Sequence, residues 1–157
     1  MKKELIAPFV VVLLLFTSCN RGEVFFKFQQ IKDSEWSSKN YLEFELDSLD
    51  VDPLLSYDLQ LDVVYSNAYP YKDLWLNISH NLVDTIFEQD LLEVKLTGDD
   101  GKKLGNGNSG LYQLSVPYKT ALKLDSVSIY HVRIGHAMRE YDIKGIDKVG
   151  LKVSVSR

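Results

Sequence analysis

From residue 24 to residue 155, apolar and polar positions alternate along almost every apolar run. Successive side chains of an extended strand point to opposite faces, so a period of two marks a strand with one buried face. Val24, Phe26 and Phe28 share one face. Leu42, Phe44 and Leu46 point one way, and Glu43, Glu45 and Asp47 the other. The clearest case is Tyr57, Leu59, Leu61, Val63 and Tyr65 against Asp58, Gln60 and Asp62. Leu74, Leu76, Ile78, His80 and Leu82 form a further face, followed by Leu92, Val94 and Leu96 and by Tyr112, Leu114 and Val116. Val127 and Ile129 have one parity and Val132 and Ile134 the other, which predicts a bulge near Tyr130-His131. Val149, Leu151, Val153 and Val155 close the chain.

The segments between these runs read as connections. Asp33 to Asn40, which contains Trp36, is polar, and so is Ser66 to Asp73 with Pro70. Asp52-Pro53 lies within a further connection, Ser48 to Leu54. Gly98-Asp99-Asp100-Gly101-Lys102 has the residues of a tight turn, and Gly105 to Gly110 carries three glycines in six positions. Only Asp84 to Leu92 offers a place where a short helix competes. About eight strands spaced near ten residues apart predict an all-β fold, a single antiparallel β-sandwich. There is no internal repeat and no sign of a second domain.

The N-terminus departs from this pattern. Lys2 and Lys3 precede a 12-residue apolar stretch, Leu5 to Phe16, then Thr17, Ser18 and Cys19. The stretch is shorter than the roughly 18 apolar residues of a membrane-spanning helix. A basic start, a short apolar region and small residues before a cysteine are the pattern of a bacterial lipoprotein signal. The expected organisation is a signal peptide over 1–18, a lipidated tether over 19–23 with Cys19 as the lipid attachment point, and a sandwich over 24–157. Asn20 stands where Asp serves as the inner-membrane retention cue in many diderm bacteria, which favours the outer membrane. The acidic cluster that accompanies surface export is reduced to Glu23, which favours the periplasmic face.

Removing residues 1–18 leaves 139 residues, enough for one core. It takes Lys2, Lys3 and Glu4 away and moves the net charge from −4 to −5. That balance argues against nucleic acid and against polybasic binding to anionic lipid. Cys19 is the only cysteine, so stability must come from packing, with nine Tyr, two Trp and, of the seven Phe, the five beyond residue 18 to supply it.

Candidate chemistry is sparse, and no catalytic residue, metal site or cofactor is expected. His80, His131 and His136 lack metal-ligand spacing, and His80 lies on an apolar face. Glu43, Glu45, Asp58 and Asp62 would serve a glycan-active enzyme only if they converge; a solvated sheet face accounts for them as well. Asp99-Asp100-Gly101 lacks the alternating oxygen ligands of a calcium loop. Asn77-Ile78-Ser79 matches a glycosylation acceptor, which has little weight in a bacterial lipoprotein. Two segments stand out as partner or ligand contacts. The first, Tyr69-Pro70-Tyr71-Lys72-Asp73-Leu74-Trp75, offers Tyr69, Tyr71 and Trp75 either to a sugar or protein, or as rings folded over the sandwich edge. The second, around His136-Ala137-Met138-Arg139, offers His136 and Arg139 either as contacts or as a corner in which Arg139 satisfies backbone carbonyls.

These segments, in order, resemble the gliding-motility-associated lipoprotein family GldH. The similarity runs through the 69–76 segment, Gly101-Lys102 with Leu104-Gly105-Asn106-Gly107, the 136–139 corner, and Gly145-Ile146 with Val149-Gly150-Leu151. Ala137 stands where the family more often has Gly. The resemblance implies an outer-membrane lipoprotein needed for gliding, without assigned catalysis. It implies an accessory to the motility apparatus and its associated secretion machinery, with other motility or envelope proteins as partners. A carbohydrate-binding envelope lipoprotein is the alternative.

Overall fold

A computed structural model describes residues 22–47, 49–83, 86–125 and 128–156. Residues 1–18, expected to be a signal peptide, and Cys19 lie outside these. Eleven strands are present among the described residues: β1 (Glu23–Gln30), β2 (Glu35–Ser37), β3 (Leu42–Leu46), β4 (Tyr57–Ser66), β5 (Asp73–His80), β6 (Glu88–Lys95), β7 (Asn106–Asn108), β8 (Leu111–Leu122), β9 (Tyr130–His136), β10 (Asp142–Lys144) and β11 (Ile146–Val155). They form a five-stranded sheet in the order β1-β11-β4-β8-β7, a four-stranded sheet β3-β9-β5-β6, and the pair β10-β2, all antiparallel. The expected all-β sandwich is the architecture found, with more strands than eight.

The alternation predicts the core well. Tyr57, Leu59, Leu61, Val63 and Tyr65 of β4 and Val149, Leu151 and Val153 of β11 face Leu42, Phe44, Leu46, Leu74, Leu76, Ile78, Val132 and Ile134 across the sandwich, all of them buried. At one lateral edge Gln29 Nε2 donates to Glu43 O (2.9 Å), joining β1 to β3. At the other, Asp90 of β6 points inward and accepts from Tyr118 of β8 (2.7 Å), Lys119 Nζ (2.7 Å) and His80 Nε2 (3.0 Å). His80 is fully buried, and its Nδ1 accepts the Leu82 N–H, so the proton sits on Nε2. The ring is a satisfied core group, as its place on an apolar face predicts.

Three corrections concern short elements. The three-residue strands β2, β7 and β10 are too brief to leave an alternation in the sequence. Trp36, expected in a polar loop, is buried on β2 opposite Ile143 of β10, and together they plug one end of the core. The Gly105–Gly110 segment contains β7. Third, residues 88–92 are strand rather than helix, because β6 pairs with β5 along its whole length.

Two corrections concern facing. Phe26 and Phe28 do share a face, but it is the outer one: they pair with Lys152 and Gly150, and an irregularity between Glu23 and Phe25 turns Phe25 toward the core. The Phe28 ring fills the space where a Cβ on Gly150 would stand, 2.8 Å away. Second, β9 runs in regular register against β3 and β5, with no bulge at Tyr130-His131. The strand begins at Tyr130, Ile129 precedes it, and Val127 lies outside the described residues. The turn expected at 98–102 is present, with Gly98 N donating to Lys102 O (2.8 Å) and Gly101 at φ +80°.

Candidate functional site

The two segments singled out in the sequence meet at one end of the four-stranded sheet. The 67–72 loop delivers Tyr69 and Tyr71 to the start of β5, where Trp75 points outward. On the next strand, Ala137 N donates to Trp75 O (2.7 Å), extending the β5–β9 ladder one step beyond Leu76↔His136. That fixes the 137–140 corner against Trp75. Met138 then folds back, and its Sδ receives the Trp75 N–H at 3.4 Å and lies 3.8 Å from the Tyr69 hydroxyl.

Gly145 ties the corner to the loop. Its φ is +91°, and a Cβ there would stand 2.7 Å from both Ala68 C and Tyr69 Cα. Gly145 N donates to Ser34 O and its carbonyl accepts from Ser66 N, both at 2.8 Å. Glycine is required for this approach of three chain segments.

The result is a groove of about 480 Å³ lined by Tyr71, Trp75, Leu91, Ala137, Met138, Arg139 and Glu140. Its size is that of a ligand or side-chain recognition site. Tyr71, Trp75 and Arg139 stand on the surface of this groove, whereas Tyr69 and His136 lie beneath it. Tyr69 is 1% exposed and its hydroxyl donates to Asp73 O (2.8 Å). Burial, then the neighbouring Tyr71, Asp73 and Glu140, pushes its ionisation up, so it is a neutral hydrogen-bond donor. His136 is 5% exposed and stacks edge-on against Trp36 at 5.6 Å. Burial depresses its imidazole below the ordinary value, against weaker opposing effects from the Trp36 and Tyr141 backbone. A hydrogen bond with Glu140 is the main influence that raises the Tyr71 phenol above its ordinary value.

Sequence reasoning missed Leu91 and Glu140. Leu91 left a signal: in Leu91-Leu92 two apolar neighbours on one strand cannot both face the core. Leu92 packs inward and Leu91 is 63% exposed.

The acidic residues separate. Glu43 and Glu45 project from β3 on the outer face of one sheet, and Asp58 and Asp62 lie on β4 of the other, so the four do not converge. Glu43 pairs with Arg133 at 2.9 Å, in a broad cleft that also contains Lys27, Phe87 and His131. Asp62, expected on a solvated face, is 3% exposed and accepts a hydrogen bond from Ser115 Oγ. Among the described residues no three His, Asp or Glu side chains are grouped as metal ligands.

Fold and groove together define a class: a small antiparallel β-sandwich with an aromatic-aliphatic groove at one end of a sheet. The model of the GldH lipoprotein family matches residues 23–153, and the chain belongs to that family. This is the family expected from the ordered motifs. A gliding motility lipoprotein GldH homolog of Christiangramia forsetii is 29% identical over 155 residues, covering 94% of this chain and 93% of its own. The gliding motility lipoprotein GldH of Flavobacterium johnsoniae is 27% identical over 151 residues, covering 92% and 91%. Among solved structures, dimeric latent PorU from Porphyromonas gingivalis aligns over 86% of this chain but only 13% of its own length, with 11% identity and a TM-score of 0.33. A likeness of that degree bears on neither fold nor function.

Proposed function

We propose that this protein is a non-catalytic accessory of the gliding motility apparatus, anchored to the outer membrane through acylated Cys19, and that its groove engages a protein partner of that apparatus. The observation that carries the reading is the convergence of the 69–75 and 136–140 segments on one exposed apolar groove. Partly buried Trp75 and Met138 and exposed Leu91 supply apolar anchors, and Arg139 and Glu140 supply a polar rim. Interfaces concentrate their energy in such an arrangement. Several acyl chains on Cys19 make anchoring durable and raise the local concentration of the domain beside membrane-held partners. The lone Glu23 after the cysteine supports a periplasmic orientation.

Colony spreading and membrane fractionation test this. Cys19→Ser is expected to release the protein into the soluble fraction and abolish gliding. Trp75→Ala with Arg139→Ala is expected to leave the protein folded and membrane-bound but abolish gliding. Wild-type spreading by either variant, at normal abundance, overturns the corresponding half of the proposal.

A carbohydrate competes for the same groove, because a partly exposed Trp ring beside polar Arg139 and Glu140 also suits a sugar face. A polysaccharide that raises the melting temperature, with the rise lost in Trp75→Ala, would favour that reading.

A further inference from the structure

The end of the sandwich opposite the groove carries most of the exposed large apolar side chains. Strand registers fix which loops lie there. Glu23, the first residue of β1, pairs with Ser154, Ser154 with Asp58, and Tyr57 with Leu122. In the other sheet Leu46 pairs with Tyr130, and His80 with both Val132 and Glu88. The connections β3–β4, β5–β6 and β8–β9 therefore emerge together, beside the start of β1 and the end of β11. On them stand Leu54 (84% exposed), Ile86 (71%), Val83 (67%), Phe87 (50%), Ile129 (49%) and Leu55 (42%). These six are more than half of the large apolar side chains exposed among the described residues. Isolated exposed apolar residues are ordinary, but a set gathered at one end marks an interaction surface.

The loops are tied to one another. Lys123 Nζ donates to the Leu54 and Leu55 carbonyls at 3.1 and 3.0 Å, and Asn81 Nδ2 donates to Ile129 O at 3.3 Å. Two of the carboxylates among them are engaged locally: Asp52 accepts the Leu54 N–H (2.9 Å), and Asp125 accepts Ser128 N–H (2.6 Å) and Ser128 Oγ–H (2.9 Å). With Lys123 spent on carbonyls, the described residues here form no basic patch. The apolar tips are the distinctive feature.

The chain outside the described residues indicates what covers them. Cys19 precedes Gly22 by three residues, a reach of at most about 10 Å. Gly22 O accepts from Val155 N at 2.7 Å, so the tether leaves from this same end. We infer that Leu54, Leu55, Val83, Ile86 and Ile129, with Phe87 at their margin where it lines the cleft beside Glu43 and Arg133, form a membrane-docking tip that enters the interfacial region of the bilayer beside the acylated cysteine. This rests on the reading of Cys19 as the lipid attachment point. The tip converts a single-point tether into a multi-point seat and fixes the orientation of the domain. Trp75 lies five residues from His80 along β5, roughly 16 Å, so the groove is held away from the lipid and open to a partner. The driving force is burial of apolar area rather than attraction to anionic headgroups, so docking is insensitive to salt.

Acylation consumes the only native cysteine, so single reporters can be placed on the full-length lipoprotein. Leu54→Cys, Ile86→Cys and, at the opposite end, Leu111→Cys are each labelled with an environment-sensitive fluorophore. The proteins are reconstituted into vesicles of phosphatidylcholine and phosphatidylethanolamine, with and without nitroxide on the acyl chains. Emission at positions 54 and 86 is expected to fall roughly twofold with the nitroxide lipid, equally at low and high salt, with no change at 111. Anchored protein that shows no quenching at 54 and 86, or the same quenching at 111, overturns the tip and leaves the anchor standing. Protein that neither floats with vesicles nor is quenched overturns both. Quenching lost at high salt overturns the apolar mode of docking.

Discussion

Replacing Gly145 by alanine tests the junction on which the groove is built. The substitution has two costs. The residue sits at φ +91°, where an L side chain is strained by about 1–2 kcal/mol. The new Cβ would also stand 2.7 Å from Ala68 C and Tyr69 Cα, backbone atoms that cannot rotate aside, and such overpacking costs about 1–3 kcal/mol more. The sum, about 2–5 kcal/mol, is a large share of a stability of about 5–15 kcal/mol. Gly101 isolates the first cost, because its φ is +80° but nothing lies within 4 Å of a Cβ built there. Thermal unfolding followed by circular dichroism is the assay. Gly101→Ala is expected to lower Tm by a few degrees, and Gly145→Ala by about 6–20 °C. Fluorescence of Trp75 should also shift, since relief of the clash moves the 66–72 loop that leads into β5. Equal Tm values for the two variants would refute the claim that close approach, rather than backbone angle, makes glycine necessary at 145.

Two further predictions concern titration. His136 has its imidazole pKa depressed below 6.5 by burial, so the unfolded chain binds the extra proton as the medium acidifies. Stability conferred by the neutral ring is present above about pH 6.5 and declines as pH falls below it; His136→Phe should flatten the Tm profile between about pH 7 and about pH 5, and an unchanged slope would sink the assignment. Asp90 is partly desolvated, which opposes ionisation, yet Lys119, Tyr118 and His80 together bring its pKa from 3.8 down to about 2. Its contribution is complete above about pH 4 and lost as pH falls toward 2; Asp90→Asn should cost about 1–2 kcal/mol by urea unfolding at neutral pH and remove that acid dependence, an effect kept modest by partial exposure.

How much of the site was legible depended on the range of the interactions. The 69–75 run announced itself by aromatic density, and the 136–139 run by a polar break between two strands. Nothing in either pointed to the other, because their junction is a ladder step between Trp75 O and Ala137 N, more than sixty residues apart. Tyr69 and Tyr71 look alike in sequence, but one supports the groove from below and the other lines it. Trp36 looked like a loop residue because its partner, Ile143, is brought in by a strand of only three residues.

The identity of the long strands and, outside β1, their core facing were written in the sequence, since the two-residue period is a local property of extended chain and burial follows from it. The lipoprotein-type start was equally local, a matter of residue order. Pairing order, the bulge that turns Phe26 and Phe28 outward, and the gathering of three apolar loop tips at the end where β1 begins were decided only by tertiary structure. Each depends on which distant segments satisfy one another's hydrogen bonds, and a one-dimensional pattern of hydrophobicity does not contain that information.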